Sequence, residues 1–216
     1  MKRCYLVRHA QTIWNHENRL QGHTDQPLSP LGERQAVCLG EAFASRHLLG
    51  VFTSALGRSR RTAEAIVQGN GHGVTPVVHD ALAEMHLGAW EGLTPEEIDA
   101  QFDGAYRDWR RAPSTVVIPS AEPVAAFRRR VRGVFAELAG RVDEGEYVVV
   151  THGGVIASFL ADLLGAEYDT LLRRLRLDNA GITAIDATGP RPHVLWVNAT
   201  THLERLAAEP LPGTWY

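Results

Sequence analysis

The segment Tyr147-Val148-Val149-Val150 constrains the fold most. A continuous apolar run this short, bounded by polar residues, reads as a strand inside a sheet. It leads at once into Thr151-His152-Gly153-Gly154 and then into a helical pattern. Near the N-terminus the arrangement recurs. Cys4–Val7 is a continuous apolar run, as expected for a strand buried on both faces, and it leads into Arg8-His9-Ala10-Gln11-Thr12. Strands of this kind need helices above and below them, so the two segments together call for an α/β layered architecture.

The rest of the chain alternates in the same way. Ser29-Pro30 supplies an N-cap followed by Pro at the first helical position, which predicts a helix from there to about Arg46. Val51–Thr53 is a second strand, followed by a helix near Arg58–Val67. Val74–Val78 reads as a third strand. Thr94-Pro95-Glu96-Glu97 is a capping box that opens an excursion of short helices over about 94–120. A long helix is predicted over Glu122–Ala139, with Arg128, Arg129, Arg130 and Arg132 on a solvated face. Ile182–Ile185 and Val194–Val197 complete the strands.

Composition matters mainly for what it excludes. Of the 22 Lys and Arg residues only Lys2 is a lysine, and it adjoins the N-terminus. A Walker-type phosphate loop, a Schiff-base enzyme or a Ser-Lys hydrolase cannot be built on it. A formal net charge of −3 offers no basic field for nucleic acid, so no nucleic-acid partner is expected. No apolar stretch approaches the roughly 20 residues of a membrane span, and no membrane partner is expected. Two cysteines, Cys4 and Cys38, make no disulfide framework, and no export signal is evident; both favour the cytoplasm. Cys-based phosphatase chemistry is excluded because Ala10 and Ala44 stand where its Arg would be needed. The chain has no Asp-x-Asp, HExxH, GxSxG or GxGxxG motif. None of its 10 His shows clear ligand spacing, so neither a metal nor another cofactor is called for.

Two histidines stand apart, because His9 and His152 each follow the carboxyl end of a strand. Ligands of open α/β sheets bind in the crevice outside those ends. Gly153 and Gly154 let backbone N–H groups approach an anion at a helix N-terminus. Arg8, directly before His9, adds a bidentate donor.

Arg8-His9-Ala10-Gln11-Thr12 resembles the signature of the histidine phosphatase superfamily, also called phosphoglycerate-mutase-like. The resemblance continues through Asn15, Gln21-Gly22 and Asp25–Gly32. It resumes at Ser54-Ala55-Leu56-Gly57-Arg58 and at Glu84–Thr94, and ends with Thr151–Gly154 and Asn179. It implies a three-layer α/β sandwich: a mostly parallel central sheet flanked by helices, in one domain over 1–216 with a small helical cap at about 94–120.

The resemblance also implies roles. His9 would be the nucleophile that becomes a phosphohistidine. Arg8, Arg58 and His152 would hold the phosphoryl oxygens, with Asn15, Gln21, Gly22 and Gly153 adding donors. Glu84 would be the general acid and then the base. Ser54 and Thr151 are expected to pack or bond to backbone at strand ends, Trp90 to pack in the cap, and His23 and His86 to lie near the pocket.

The stretch Glu84–Leu93 resembles the phosphatase branch. That implies a metal-independent phosphomonoesterase acting on a small phosphorylated metabolite, with a 2,3-bisphosphoglycerate-dependent phosphoglycerate mutase as the alternative. One departure concerns the segment before the long helix: the branch usually has Gly-Gly-Glu-Ser, and this chain has Ser120-Ala121-Glu122-Pro123. The substrate itself and the oligomeric state stay open, a homodimer being one option.

Overall fold

In the computed structural model, residues 1–141 and 144–206 are described. Residues 142–143 and 207–216, which the sequence reading assigns to the same domain, lie outside the described residues. Six strands form one sheet in the order β3-β2-β4-β1-β5-β6. They are β1 (Lys2–Arg8), β2 (Leu48–Thr53), β3 (Pro76–Val78), β4 (Gly145–Thr151), β5 (Ile182–Asp186) and β6 (His193–Ala199). The pairs β1–β4, β2–β4 and β2–β3 are parallel, whereas β5 runs antiparallel to both β1 and β6. The sheet is therefore mostly parallel, as expected.

The continuous apolar runs have a direct explanation in the packing. Side chains alternate between the two faces of a strand. Cys4, Leu6, Tyr147 and Val149 enter one core, and Tyr5, Val7, Val148 and Val150 enter the other. The first core is closed by α6 (Val124–Arg141), α7 (Gly153–Leu164) and α8 (Tyr168–Arg174) through residues such as Phe127, Val131, Leu160 and Leu172. The second is closed by α2 (Pro30–Phe43) and α3 (Gly57–Asn70) through Leu39, Phe43, Ala63 and Ile66. This is the three-layer arrangement. Burying each Leu, Val or Phe here contributes roughly 1.5–3 kcal/mol before chain entropy is set against it.

Helix starts follow their caps. The Ser29 hydroxyl accepts from Gly32 N–H at 3.0 Å to open α2, with Pro30 at the first position. Thr94 and Glu97 form the expected capping box of α4 (Pro95–Gln101), which is followed by α5 (Ala105–Arg111). Trp90 is buried with Ile98, Tyr106 and Ile118 in a third cluster under these two helices, as its packing role required. The boundaries differ from expectation in several places, β2 beginning already at Leu48 and α3 running on to Asn70. Helix α2 stops at Phe43, β3 starts only at Pro76, and α6 starts two residues late. The last shift arises because a turn closes before it, the Ala121 N–H donating to the Ile118 carbonyl at 3.1 Å, and the Glu122 N–H donates to the His86 carbonyl at 2.9 Å instead of entering the helix. Ser120 there takes φ 61, the left-handed conformation that the missing glycine would have supplied without strain. Among the described residues no helix is long and apolar enough to cross a membrane.

Candidate active site

The register of β1 and β4 builds the centre of the site. Arg8 pairs with Thr151 across the parallel ladder, so the next residues, His9 and His152, leave the sheet side by side. The His9 N–H still donates to the Thr151 carbonyl at 2.9 Å, and the two imidazole centroids are 5.2 Å apart. Both rings are buried.

His9 Nδ1 lies 2.8 Å from the Ala10 carbonyl. A carbonyl only accepts, so Nδ1 carries the proton and Nε2 keeps its lone pair. Burial first, then the Arg58 and Arg8 guanidinium charges, hold the His9 pKa well below the ordinary histidine value. The ring is thus neutral at neutral pH, the form a nucleophilic imidazole needs. His152 is lowered in the same way, by burial first, then Arg58, His9, Arg8 and His23. Its Nε2 meets Ser54 Oγ at 2.8 Å and Ser59 Oγ at 3.3 Å, while its buried Nδ1 has no hydrogen-bond partner among the described residues. Ser54 therefore does more than pack at a strand end, since its hydroxyl fixes the His152 ring. Thr151 behaves as expected, its hydroxyl donating to the Leu82 carbonyl at 2.7 Å.

Neutral donors come from the loop after β1 and the single-turn helix α1 (Ile13–His16) within it. Asn15 Oδ1 accepts from the Thr12 N–H and from Asn179 Nδ2, each at 3.1 Å. Gln21 Oε1 accepts from the Thr12 hydroxyl at 2.9 Å. With both amide oxygens engaged inside the loop, the NH₂ ends of Asn15 and Gln21 are the groups left for the cleft that these residues line. Asn179 Nδ2 also donates to the His9 carbonyl at 3.1 Å, tying the loop to the end of β1.

Arg58 opens α3, at the end of the connection from β2, and is only 1% exposed. Its Nη2 donates to the Gly22 carbonyl at 2.7 Å and its Nη1 to the Thr24 carbonyl at 3.2 Å. Gly22 takes φ +53, and a Cβ there would lie 2.1 Å from Glu91 Oε1, so only glycine fits the turn. Glu91 in turn accepts from the His23 and Thr24 N–H groups and from Leu87, clamping the Gly22 loop to the segment after Glu84. Arg8 is buried beside His9 and donates to the Leu177 carbonyl at 2.5 Å.

Glu84 is 5% exposed, and its carboxylate accepts from the N–H groups of Met85 at 2.9 Å and Gly154 at 3.1 Å. Its carbonyl accepts from His23 Nε2 at 2.8 Å, so His23 braces the Glu84 backbone. The rings of His23 and His86 meet edge to face at 5.1 Å, and neither lines the cleft.

Arg8, His9, Asn15, Gln21, Gly22, Arg58, Glu84, Gly154 and Asn179 surround one cleft open to solvent. His152 and Gly153 do not reach its wall; the His152 ring lies against that of His9, and Gly154 takes the place expected of Gly153. The remaining wall, unforeseen in the sequence, includes Met85, Leu87, Tyr106, Trp109, Tyr168 and Leu172. Among the described residues no three His, Cys, Asp or Glu side chains gather as a metal site would require.

One expectation needs correcting. The arginine run of α6 is not a uniformly solvated face. Arg130 turns inward, donating to the carbonyls of Ala81 and Ala83 at 2.9 and 2.8 Å and to that of Glu84 at 3.3 Å. It is neutralised by a two-pronged pair with Glu122, at 3.0 and 2.6 Å. Arg128 lies over the Tyr168 ring and pairs with Asp162 at 2.6 Å. Both positions offer a carboxylate and an apolar surface for the aliphatic stem, which outweighs full hydration.

Comparison with known proteins agrees with this geometry. The model of the histidine phosphatase superfamily (branch 1) matches residues 4–200. A probable phosphoglycerate mutase GpmB from Salmonella arizonae is 33% identical over 190 residues, covering 86% of this chain and 85% of that protein. Among solved structures, mycobacterial glucosyl-3-phosphoglycerate phosphatase in complex with VO3 superposes with TM-score 0.83 at 32% identity, over 93% of this chain and all of that one. Bacillus stearothermophilus YhfR gives TM-score 0.87 at 29% identity, over 94% of this chain and 100% of the other. The chain belongs to the histidine phosphatase superfamily, branch 1.

Proposed function

We propose that this protein is a metal-independent phosphomonoesterase that hydrolyses a small phosphorylated metabolite through a phosphohistidine on His9. The observation that carries the reading is the His9 ring itself. Its Nδ1–H is held by the Ala10 carbonyl, its Nε2 is unprotonated, and Arg8 and Arg58 are the charges that bear on it. His9 Nε2 attacks phosphorus, the bond to the leaving oxygen breaks, and Glu84 delivers a proton to that oxygen. Glu84 then takes a proton from water, whose oxygen attacks the phosphohistidine, releasing inorganic phosphate and restoring His9. Arg8, Arg58 and the NH₂ groups of Asn15 and Gln21 stabilise the three phosphoryl oxygens as charge spreads over them. His152, held by Ser54, packs against the His9 ring with centroids 5.2 Å apart and backs the nucleophile.

Water is the acceptor in this reading, supported by the phosphatase activity named for the mycobacterial neighbour. The GpmB relative, named a probable mutase, supports the alternative of a 2,3-bisphosphoglycerate-dependent phosphoglycerate mutase. Two buried free thiols, Cys4 and Cys38, accord with a reducing, cytoplasmic setting. The test is phosphate release from p-nitrophenyl phosphate in EDTA, with 3-phosphoglycerate isomerisation followed in parallel. Wild-type turnover with none by His9→Ala supports the phosphatase reading. Equal rates for the two proteins sink it, and isomerisation outpacing phosphate release favours the mutase.

A further inference from the structure

We infer that the substrate's leaving group is an apolar alcohol, an extended alkyl or aryl chain, seated against the wall that α5, α8 and the segment after Glu84 build around the cleft. This rests on the phosphomonoesterase reading and deepens it. The cleft has two chemically different parts. Arg8, His9, Arg58, Asn15 and Gln21 supply the charge and donors that a phosphoryl group needs, and they come from the β1 end, the loop after it and the start of α3. Beyond a polar edge of Asn18 and Arg19, much of the remaining lining is apolar or aromatic and comes from other elements: Met85 and Leu87 after Glu84, Tyr106 and Trp109 on α5, Tyr168 and Leu172 on α8.

These side chains offer surface and almost no charge. Tyr106 and Trp109 stack with ring centroids 5.8 Å apart. Burial keeps both phenols un-ionised, Tyr106 being pushed up to about 12 and Tyr168 higher. A leaving group that carried a carboxylate would need a cation on this side. Among the described lining residues the one arginine outside the phosphoryl end is Arg19. It already pairs with Glu97 at 2.8 Å and Glu17 at 3.4 Å, and donates to the Gly92 carbonyl at 2.6 Å. A second carboxylate would have to displace those partners, whereas an alkyl chain would displace only water from apolar surface. Tyr168 and Glu84 line the same cleft, so an alcohol lying on Tyr168 shares it with the proposed proton donor.

The test uses ethyl, butyl and hexyl phosphate, whose alcohols have nearly the same acidity, so that chain length alone varies. 3-Phosphoglycerate serves as the anionic competitor and p-nitrophenyl phosphate as the control for turnover. Expected is a rise in kcat/KM on the order of three-fold per methylene, with hexyl phosphate at least about ten-fold better than 3-phosphoglycerate. Trp109→Ala should cut the hexyl-to-ethyl ratio by about ten-fold, and Trp109→Phe should restore much of it. A flat alkyl series, or 3-phosphoglycerate as the fastest ester, while p-nitrophenyl phosphate is still hydrolysed, overturns the apolar leaving group and leaves the phosphatase standing. No turnover of any of the five esters overturns the phosphatase reading itself.

Discussion

The Gly154 N–H donates to Glu84 Oε2 at 3.1 Å, joining the first turn of α7 to a carboxylate 70 positions earlier in the chain. The contact is possible because residue 154 has no side chain: a Cβ there would lie 2.4 Å from Glu84 Oε1. The hydrogen bond from the first turn of the helix fixes the aim of the carboxylate. Gly154→Ala should therefore push Glu84 away from the cleft and lower kcat by about ten- to a hundred-fold. KM and the unfolding midpoint should change little. Steady-state kinetics beside a urea melt checks this, and an unchanged kcat would show that Glu84 can be repositioned at no cost.

Arg130 acts on Glu84 from the opposite direction. Its guanidinium bonds three carbonyls of the 81–84 segment and is itself paired with Glu122. It is a positioning residue, with no place in the cleft wall. Arg130→Met strips those carbonyls of a shared donor, which should cost about 1–3 kcal/mol of stability. It should also lower kcat more than it raises KM, because Glu84 moves while Arg8 and Arg58 stay. Glu122→Gln should give a weaker version of both effects. A variant that lost stability with kcat intact would limit Arg130 to a structural role.

The buried imidazoles predict how stability depends on pH. His9 and His152 have native pKa values below the unfolded value of 6.5. As pH falls below 6.5, the unfolded chain takes up protons that the native state refuses, so stability is lost from there down to the native pKa values. Each ring contributes a slope of up to about 1.4 kcal/mol per pH unit. Urea unfolding between pH 7 and pH 5 should show this decline, and His152→Asn should flatten it. A decline of the same slope in His152→Asn would assign the effect to other groups.

The parts of the fold that could be read in advance are those with a local physical signature. The two central strands were evident because burial on both faces makes them wholly apolar, and α4 because its capping box is written in Thr94 and Glu97. The phosphoryl end of the cleft was legible because His9 and His152 follow strand ends, and the ladder register then sets them together. What escaped depends on packing between distant segments. Nothing within the run Arg128–Arg132 tells that Arg130 turns towards three carbonyls while Arg132 stays mostly exposed. Tyr106, Trp109, Tyr168 and Leu172 read as ordinary helix faces until α5 and α8 are placed beside the same cleft. Ser54 met His152 across a separation of 98 residues, with no pattern to announce it.

The most direct test of the account is to trap the covalent intermediate. Rapid quenching into base during turnover of p-nitrophenyl phosphate, followed by peptide mass mapping, should find a phosphoryl group on the His9 peptide. Phosphorus NMR should place it on Nε2, the nitrogen left unprotonated by the Nδ1–Ala10 hydrogen bond. Turnover with no label on His9, or with the label on another residue, would contradict the nucleophile assignment and with it the mechanism.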